Sequence, residues 1–389
     1  MSEVLLAIGY LLAAVTLPGT LELFLVTLGA LLPSKKPSEE VYAPGVIAVV
    51  IPAYDEEDHI VETINSLKAC NDPFEETEVI VVADNCSDQT AFIAENQGVR
   101  VITRQDSDRR GKGYALNDAF EILLQENYEF FVVIDADTIV EPNLIVEVRK
   151  GFAHKNDALQ AVYTVFNNNG SYRTRVMRLA LSAFNVVRPK GRQRWRLSVG
   201  LMGNGFALRR STLEKVPYRV YSIVEDLEYH LLLVKAQLRV GFLENTSVKS
   251  VVPSKSNAAA IQRVRWEGGR LRIMRELTMN LFKGILSGNF RLIEPLMELL
   301  LFPLSLHVLL LSMGLFTSST ALKVYFMIAW SVVGMHLSVA IALMKEKTSR
   351  IIFTILMLPF YVFWRMILLP RIFSFSKKEA PWQRTARER

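Results

Sequence analysis

The chain has 389 residues, of which 50% are hydrophobic and 22% are charged, and its mean hydropathy is +0.22. This length accommodates one large domain or two ordinary ones. The net charge of +6 does not predict a nucleic-acid partner, because much of the excess lies beside apolar segments, where anionic lipid headgroups are the expected partner. Two cysteines, Cys70 and Cys86, make no disulfide framework, and five scattered histidines argue against a zinc site.

Long apolar segments lie near both ends of the chain. Residues 4–32 are interrupted only by Glu22 and exceed the roughly 20 residues that span a hydrocarbon core. The length of this run, with no basic residues before it, argues against a signal peptide. Three further membrane segments are predicted at residues 299–322, 324–344 and 351–370. The Pro18-Gly19 pair leaves open a hairpin within the first segment.

Basic residues beside these segments predict the topology. Lys35 and Lys36 follow the first segment, which places the region after it in the cytoplasm, and the cluster at 345–350 falls on the same side after two crossings. The basic tail at 371–389 would then lie outside. Either the segment at 351–370 is re-entrant or interfacial, or the charge rule fails here. We therefore expect a multi-pass protein of the cell (inner) membrane with a cytoplasmic soluble region.

Four short, β-branched apolar runs predict strands that are buried on both faces of a parallel sheet. They are residues 46–54, 78–84, 99–104 and 129–135. Helical patterns stand between them at residues 56–69, 88–97 and 112–127, with Ser87 as the expected N-cap of the second and Gly98 as its stop. This alternation predicts an α/β fold with a doubly wound, mostly parallel sheet, in which ligands bind at the carboxyl ends of the strands.

Acidic residues follow three of the four predicted strands. Asp84 ends the second strand, and Asp135 and Asp137 end the fourth. Several carboxylates at one sheet edge repel each other unless a cation or hydrogen-bond donors compensate, so this pattern predicts a metal or a polar ligand. The other acids, Glu56, Glu57 and Asp88, are interpreted as ordinary partners of helix dipoles.

A series of motifs between residues 45 and 275 resembles the family 2 glycosyltransferases of the GT-A fold, in particular the membrane-integrated branch with cellulose, chitin and hyaluronan synthases. In chain order they are PAYDEE at 52–57, VVADNCSD at 81–88, RGKGYAL at 110–116, DAD at 135–137, GNGFALRR at 203–210, VEDLE at 224–228 and QRVRW at 262–266. A lone D-x-D is weak evidence, whereas all of these motifs in register are strong evidence.

The resemblance implies a nucleotide-sugar site. By position in the motifs, its residues are Pro52, Ala53, Tyr54, Asp84, Lys112 and Asp135. Asp84 stands where the family's acid holds uridine, and Lys112 would approach phosphate from a glycine-flanked loop. A solvated lysine at the start of a helix is the other interpretation of Lys112. Asp137 and Asp135 match the family's metal motif, which implies Mg²⁺ or Mn²⁺ as cofactor.

The catalytic pair implied by the resemblance is Glu225 and Asp226, with Asp226 as the general base that deprotonates the acceptor hydroxyl. Inversion at the anomeric carbon follows, so a UDP-α-sugar would yield a β-linkage. Both acids would also suit the first turn of a helix without any catalytic role. The residues Gly203, Asn204 and Gly205 resemble the family's acceptor loop, although the glycines would equally serve a tight turn.

Gln262, Arg265 and Trp266 fit the Q-x-x-R-W signature and would share one helix face, with Arg263 and Val264 turned away. This face would offer a guanidinium to the diphosphate and an indole to a sugar. An amphipathic helix at a membrane surface is the alternative. The predicted parts are a membrane segment (1–32), the catalytic domain (33–255), the signature segment with interfacial helices (256–294), the C-terminal membrane segments (295–372) and a basic tail (373–389).

These features predict an inverting transferase that moves a sugar from a nucleotide sugar to a growing β-linked polysaccharide, with a homo-oligomer or an accessory export protein as partner. Transfer of one sugar to a lipid acceptor is the enzymatic alternative. A transporter or a receptor with a degenerate nucleotide-binding domain is the alternative outside the enzyme class. The ionisable residues of the apolar segments argue against transport, because Glu22, His307, His336 and Arg365 are each isolated in the sequence.

Overall fold

The computed structural model describes residues 2–33, 41–166, 172–250, 256–344 and 348–377. Lys35, Lys36, residues 345–347 of the basic cluster and the tail beyond residue 377 lie outside these ranges. The topology argued from them stays a prediction.

The strands are β1 (Ile47–Ala53), β2 (Thr77–Asp84), β3 (Arg100–Arg104), β4 (Phe130–Val133), β5 (Thr138–Val140), β6 (Ala158–Val165), β7 (Phe206–Arg209) and β8 (Val240–Ser250). The helices are α1 (Ser2–Leu31), α2 (Ile60–Lys68), α3 (Thr90–Asn96), α4 (Lys112–Leu123), α5 (Leu144–Ala153), α6 (Tyr172–Ser182), α7 (Arg188–Arg194), α8 (Arg210–Lys215), α9 (Glu225–Lys235), α10 (Ser256–Leu286), α11 (Ile293–Leu300), α12 (Leu304–Gly314), α13 (Thr320–Met344) and α14 (Thr348–Phe375). A π-helical turn (Ala183–Val187) and a 3₁₀ turn (Phe290–Leu292) precede α7 and α11.

The chain forms two compact units. Among the described residues, the helical unit comprises 2–33, 172–197, 263–344 and 348–377, and the sheet unit comprises 41–166, 198–250 and 256–262. The boundary between Gln262 and Arg263 falls within α10. The five-part division expected from the sequence stays a prediction.

The described strands of the sheet unit form one eight-stranded sheet in the order β3-β2-β1-β4-β7-β6-β8-β5. Strands β3, β2, β1 and β4 run parallel, as predicted. Beyond β4 the sheet is mixed, since β7 is antiparallel to both of its neighbours, β4 and β6. The predicted α/β sheet is therefore confirmed, and its parallel half brings the carboxyl ends of β2, β1 and β4 to one edge.

Burial on both faces explains why β1 is an unbroken apolar run. Ile47, Val49 and Ile51 belong to the apolar core on one face, and Ala48 and Val50 belong to the core on the other. All five residues are fully buried. Successive side chains of a strand point to opposite faces of the sheet. When both faces are covered, no side chain of the strand reaches water, and apolar residues are favoured at every position.

In the helical unit, three described helices are long and apolar enough to cross a membrane, namely Glu3–Leu31, Thr320–Met344 and Ile351–Phe375. The first continues through Pro18, so the hairpin alternative is wrong. The last is one continuous helix, which excludes the re-entrant alternative.

The segment predicted at residues 299–322 is not one straight helix, and its bounds differ from those observed. Helices α11 and α12 meet at a 75° bend, and α12 already ends at Gly314. Pro303 causes the break, because proline has no N–H to donate and its ring disfavours helical backbone at the residue before it. The bent pair is either a broken span or a re-entrant loop, so the described helices give three spans, or four if the pair counts as one.

The ionisable residues of the apolar segments are not isolated, which corrects the argument made against transport. Glu22 Oε1 lies 3.0 Å from Arg188 Nε and 3.1 Å from Arg192 Nη1, and Arg188 Nη1 lies 3.0 Å from Glu298 Oε1. Arg365 forms an ion pair with Glu267. The two histidines also have partners, since His336 lies 2.8 Å from the Thr27 hydroxyl and His307 lies 3.3 Å from the Thr20 hydroxyl.

Candidate active site

Four of the six predicted nucleotide-sugar residues lie at the carboxyl ends of two neighbouring parallel strands. Pro52 and Ala53 end β1, Tyr54 follows, and Ala53 pairs in register with Ala83 of β2. The next residue, Asp84, ends β2 and is buried. The sheet therefore brings these four predicted residues to one edge.

Asp135 and Asp137 lie on a tight turn that follows β4 at the same edge. The Thr63 hydroxyl donates to Ala136 O (2.7 Å) and accepts from Thr138 N (3.1 Å), which fixes the turn. Asp137 is only 4% exposed. Carboxylate oxygens are the hard ligands that Mg²⁺ and Mn²⁺ prefer, so the two acids of this turn fit the predicted cation.

The loop with Gly203, Asn204 and Gly205 lies against this turn. Asn204 Oδ1 accepts from Asp135 N (3.1 Å), and Asn204 Nδ2 donates to the Thr138 and Ser250 hydroxyls (2.8 and 2.9 Å). Gly203 and Gly205 have φ values of +74° and +71°. A Cβ at Gly203 would lie 3.3 Å from Asp226 Oδ2, so a side chain there would crowd the predicted base.

Lys112 joins the loop to the metal-motif turn. Its ammonium donates to Asp135 Oδ1 and to Gly203 O. Burial lowers the pKa of Lys112, but the charges of Asp135, Glu225 and Asp226 outweigh this effect and hold that pKa above its ordinary value. One ammonium thus faces three carboxylates.

Glu225 and Asp226 occupy the first turn of α9, as the helix-start interpretation requires, and they also face Lys112. Leu227 N donates to Asp226 Oδ1 at 2.8 Å, while Asp226 Oδ2 is the oxygen on the Gly203 side. Burial raises the pKa of Asp226. Burial, and next the charge of Asp226, raise the pKa of Glu225 to about 8. A carboxylate with a raised pKa is a stronger base near neutral pH.

The raised pKa of Glu225 predicts a pH dependence of stability. In the unfolded chain this acid loses its proton near its ordinary pKa of about 4.3, whereas the folded chain keeps the proton up to about 8. Between these values the folded state binds more protons, so its stability falls as pH rises. We expect the stability of Glu225→Gln to exceed that of wild type by an amount that grows from about pH 5 to about pH 8. At about 1.4 kcal/mol per pKa unit, the difference in the free energy of unfolding should reach several kcal/mol.

Thermal unfolding of the ligand-free protein across this pH range measures that effect. Glu228→Gln, on the same helix, is the matched control and should track wild type at every pH. A constant difference in Tm between Glu225→Gln and wild type would show that Glu225 has an ordinary pKa.

The Q-x-x-R-W signature is helical, as predicted, because α10 runs through it. Gln262 is buried and is a residue of the sheet unit, whereas Arg265 and Trp266 belong to the helical unit. The Arg263 guanidinium lies over the Trp266 ring, 5.8 Å from its centre, so Arg263 is not turned away from the tryptophan. The roles of Gln262, Arg265 and Trp266 in the site stay predictions.

A second acidic group lies between β1 and α3. One ligand atom each from Asp55, Cys86 and Asp88 lies within 4.8 Å of the others. Asp55 Oδ1 accepts from Ser87 N (2.7 Å), and Asp88 accepts from Glu57 N (3.1 Å) and Thr90 N (2.9 Å). Burial raises the pKa of the Cys86 thiol to about 11. The hydrogen bonds of Asp55 and Asp88 join the loop after β1 to the loop before α3.

The same loop corrects the expected cap of α3. The N-cap position belongs to Gln89 and not to Ser87, and the Asp88 side chain accepts the hydrogen bond from Thr90 N. The predicted stop at Gly98 is confirmed by its left-handed backbone, with φ +68°.

Gln160 is a site-supporting residue that the motif analysis missed. It is fully buried in β6, where its Nε2 donates to Asn204 O (2.8 Å) and its Oε1 accepts from Met202 N (2.9 Å). These bonds hold the glycine loop from behind. The only signal in the sequence is a polar residue within the apolar run ALQAV at 158–162.

A sheet with a parallel half and an antiparallel return, and acids gathered at its carboxyl edge, defines a GT-A-type glycosyltransferase architecture. The chain belongs to the family described as glycosyltransferase-like family 2, whose profile matches residues 44–269. A mannosyltransferase from Pyrobaculum calidifontis, solved with GDP-mannose and Mn²⁺, has a TM-score of 0.57, 17% identity and coverage of 88% of this chain and 100% of that one. At this identity the likeness establishes the fold.

Curated relatives include both glycolipid and polysaccharide synthases. The β-monoglucosyldiacylglycerol synthase of Synechocystis is 29% identical over 59% of this chain and 48% of its own. The poly-β-1,6-N-acetyl-D-glucosamine synthase of Staphylococcus aureus is 26% identical over 72% of this chain and 67% of its own. Three of the curated relatives are covered over about half of their length, at 58%, 48% and 45%.

Proposed function

We propose that this chain is a membrane-integrated, inverting and metal-dependent glycosyltransferase that moves a sugar from a UDP-sugar to a growing β-linked polysaccharide at the cytoplasmic face of the cell membrane. The observation that carries this proposal is the cluster in which Lys112 binds Asp135 and the Gly203 carbonyl beside Asp226. Family membership supports sugar transfer, and the apolar helices support a membrane location.

We propose separate tasks for the residues of this cluster. Asp226 Oδ1 is occupied by Leu227 N, so Oδ2, on the side of the glycine loop, takes the proton of the attacking acceptor hydroxyl. Gly203 leaves the space in which that hydroxyl approaches. The base removes the proton as the hydroxyl attacks from the face opposite the leaving nucleotide, which inverts the anomeric carbon.

The donor's diphosphate is held from the other side of the loop. Lys112 presents an ammonium to the diphosphate, and Asp135 and Asp137 would hold Mg²⁺ or Mn²⁺. When bound, the cation supplies Lewis-acid stabilisation of the charge that develops on the leaving diphosphate. Asp84 accepts a hydrogen bond from the nucleotide base, and the Pro52 to Tyr54 edge borders the base. Gln262, Arg265 and Trp266 are proposed to bind the diphosphate and the acceptor sugar.

The acceptor has two candidates, and each has a specific observation in its favour. The polysaccharide synthase of S. aureus aligns with 72% of this chain, well beyond the catalytic region. The glycolipid synthase of Synechocystis has the higher identity, 29%. The described helices give three or four candidate spans, which are few for a channel that exports a polymer. A polysaccharide synthase built on so few spans would act with further copies of itself or with an export partner.

The ionisable residues of the apolar segments are paired, so their supposed isolation is no longer a reason to exclude a transporter. Ion pairs such as that of Glu22 with Arg188 are compatible with either class. Membership of a transferase family and the presence of both Asp137 and Asp226 favour an enzyme over a transporter or receptor.

A panel of nucleotide sugars, assayed with Mn²⁺ or Mg²⁺ and with mass analysis of the product, tests the proposal. We expect a UDP-sugar to be consumed only when a metal is present. A ladder of product masses identifies polymer synthesis, and a single lipid-bound sugar identifies the glycolipid alternative. Absence of transfer and of donor hydrolysis with every nucleotide sugar would contradict the proposal.

A further inference from the structure

A buried arginine lies against the acid assigned to the nucleotide base. Asp84 and Arg104 are in register on the neighbouring strands β2 and β3. Arg104 Nη1 lies 2.7 Å from Asp84 Oδ1, and each side chain is 7% exposed. Arg100, at the other end of β3, forms a more exposed pair with Glu126, with side chains 34% and 37% exposed. Only the buried pair is strongly shielded from water.

Arg104 is held in place independently of Asp84. Its Nε lies 2.7 Å from Asp118 Oδ2 on α4, and its Nη1 also donates to Arg109 O at 2.6 Å. The guanidinium is therefore fixed by the helix and by the loop before it. Asn85 Nδ2 adds a second donor to Asp84 Oδ1 at 2.7 Å. Both fixed donors reach the same carboxylate oxygen.

The arginine favours the charged form of this acid. Burial holds the pKa of Asp84 above its ordinary value, and the hydrogen bond and charge of Arg104 act against that effect. A buried carboxyl group that loses its cationic partner tends to take up a proton. An ionised carboxylate can only accept hydrogen bonds, whereas a protonated carboxyl group can also donate one.

Whether Asp84 is ionised or protonated affects which nucleotide bases it can bind. Uracil presents a ring N–H between two carbonyl groups, and guanine presents a ring N–H beside one carbonyl. Cytosine and adenine present a lone pair at the corresponding ring nitrogen. An obligate acceptor pairs with the first two bases and faces a second acceptor in the other two. A site that must satisfy a buried polar group discriminates strongly against a base that cannot satisfy it.

We propose that Arg104 is a positioning residue that sets nucleotide specificity: it holds Asp84 as a fixed, ionised acceptor, so that the site selects uracil or guanine over cytosine or adenine. The inference rests on the proposed function, because Asp84 must contact the base. Arg104 itself acts through Asp84 and need not touch the donor.

Calorimetric binding of UDP and CDP to the full-length protein tests this inference. Wild type should bind UDP at least about tenfold more tightly than CDP, the value of one hydrogen bond to a charged group. In Arg104→Met, UDP binding should weaken about tenfold or more, and the preference over CDP should collapse. Arg104→Lys keeps the positive charge and should recover much of that preference. In transfer assays the loss should appear in KM more than in kcat.

Matched variants separate this role from a general loss of structure. Arg100→Met removes the exposed arginine of the same strand and its pair with Glu126. It should keep the wild-type ratio of UDP to CDP affinity. If Arg104→Met does not fold, Arg104→Gln keeps a hydrogen-bond donor without the charge and should lose the ratio in the same way.

The outcomes are distinguishable. A folded Arg104→Met or Arg104→Gln protein that keeps the wild-type ratio overturns the inference and leaves the proposed function standing. A parallel loss of UDP and CDP affinity with an unchanged ratio also overturns it, since that is the effect of structural damage. A wild-type protein that binds neither UDP nor GDP overturns the proposed function together with the inference.

Discussion

Asp226→Asn is expected to lower the rate of sugar transfer by about 10²- to 10⁴-fold while leaving UDP affinity nearly unchanged. This range is what a positioned general base contributes. Asparagine keeps the shape of the side chain and can still accept the hydrogen bond from Leu227 N, which lies 2.8 Å from Asp226 Oδ1. It removes only the ability to take a proton. Initial rates at saturating donor and a separate UDP titration measure the two quantities.

Glu228→Gln is the control for this experiment, because it alters another acid of the first turn of α9. Its rate should match wild type. Wild-type turnover in Asp226→Asn would refute the assignment of the base, and a parallel loss of UDP binding would mean that Asp226 holds the donor instead.

Asp137→Ala is expected to abolish the dependence of donor binding on Mn²⁺. In wild type, UDP should bind at least about tenfold more tightly with Mn²⁺ than without it, because the cation links carboxylates to phosphate oxygens. The variant should bind UDP with the same weak affinity in both conditions. Calorimetry with and without the metal measures this difference, and transfer activity should fall with it.

Two control variants locate the cation. Glu141→Gln changes the acid that follows β5 and pairs with Lys249 at 3.1 Å, and it should leave the metal effect intact. Asp88→Asn removes a carboxylate of the second acidic group. If Asp88→Asn loses the metal effect and Asp137→Ala keeps it, the cation binds at that second group and the assignment of Asp137 is wrong.

The parallel half of the fold was predictable because each of its strands is marked by a run of residues that are adjacent in the sequence. The runs that became β1 and β4 are almost entirely apolar, which burial on both faces explains, and the predicted bounds of β1 to β4 lie within two residues of the observed ones. Strand β3 departs from the prediction, because Arg100 and Arg104 begin and end it and most of its residues are only partly buried. Strands β5 to β8 carry no such signal. Strand β5 has three residues, and β8 contains the polar stretch from Glu244 to Ser247. Their pairing depends on partners that are distant in the chain.

The candidate site divides in the same way. The motifs marked residues proposed to contact substrate, such as Lys112 and Asp226. Each motif is a short stretch of chain at a strand end or helix start, so it can be recognised in the sequence. The residues that hold them, such as Gln160 and Arg104, were missed. Arg104 meets Asp84 through the register of two strands, 20 residues apart in the chain, and no motif records a register.

The same reason explains the error about Glu22. It stands alone in its apolar segment, but its partner Arg188 lies 166 residues further along the chain. A search of the sequence near Glu22 therefore finds no cation. Only the packing of the helical unit brings the two together.

This separation also bears on biosynthesis. At roughly 5–20 residues per second, on the order of ten seconds pass between the synthesis of Glu22 and that of Arg188, 166 residues later. Helix α1 carries its carboxylate without these arginines throughout that interval, while β1 to β6 are being made. The helical unit therefore cannot reach its final packing as α1 leaves the ribosome. The pair of Glu22 and Arg188 forms only after nearly half of the 389 residues are translated, and α10 to α14 are made later still.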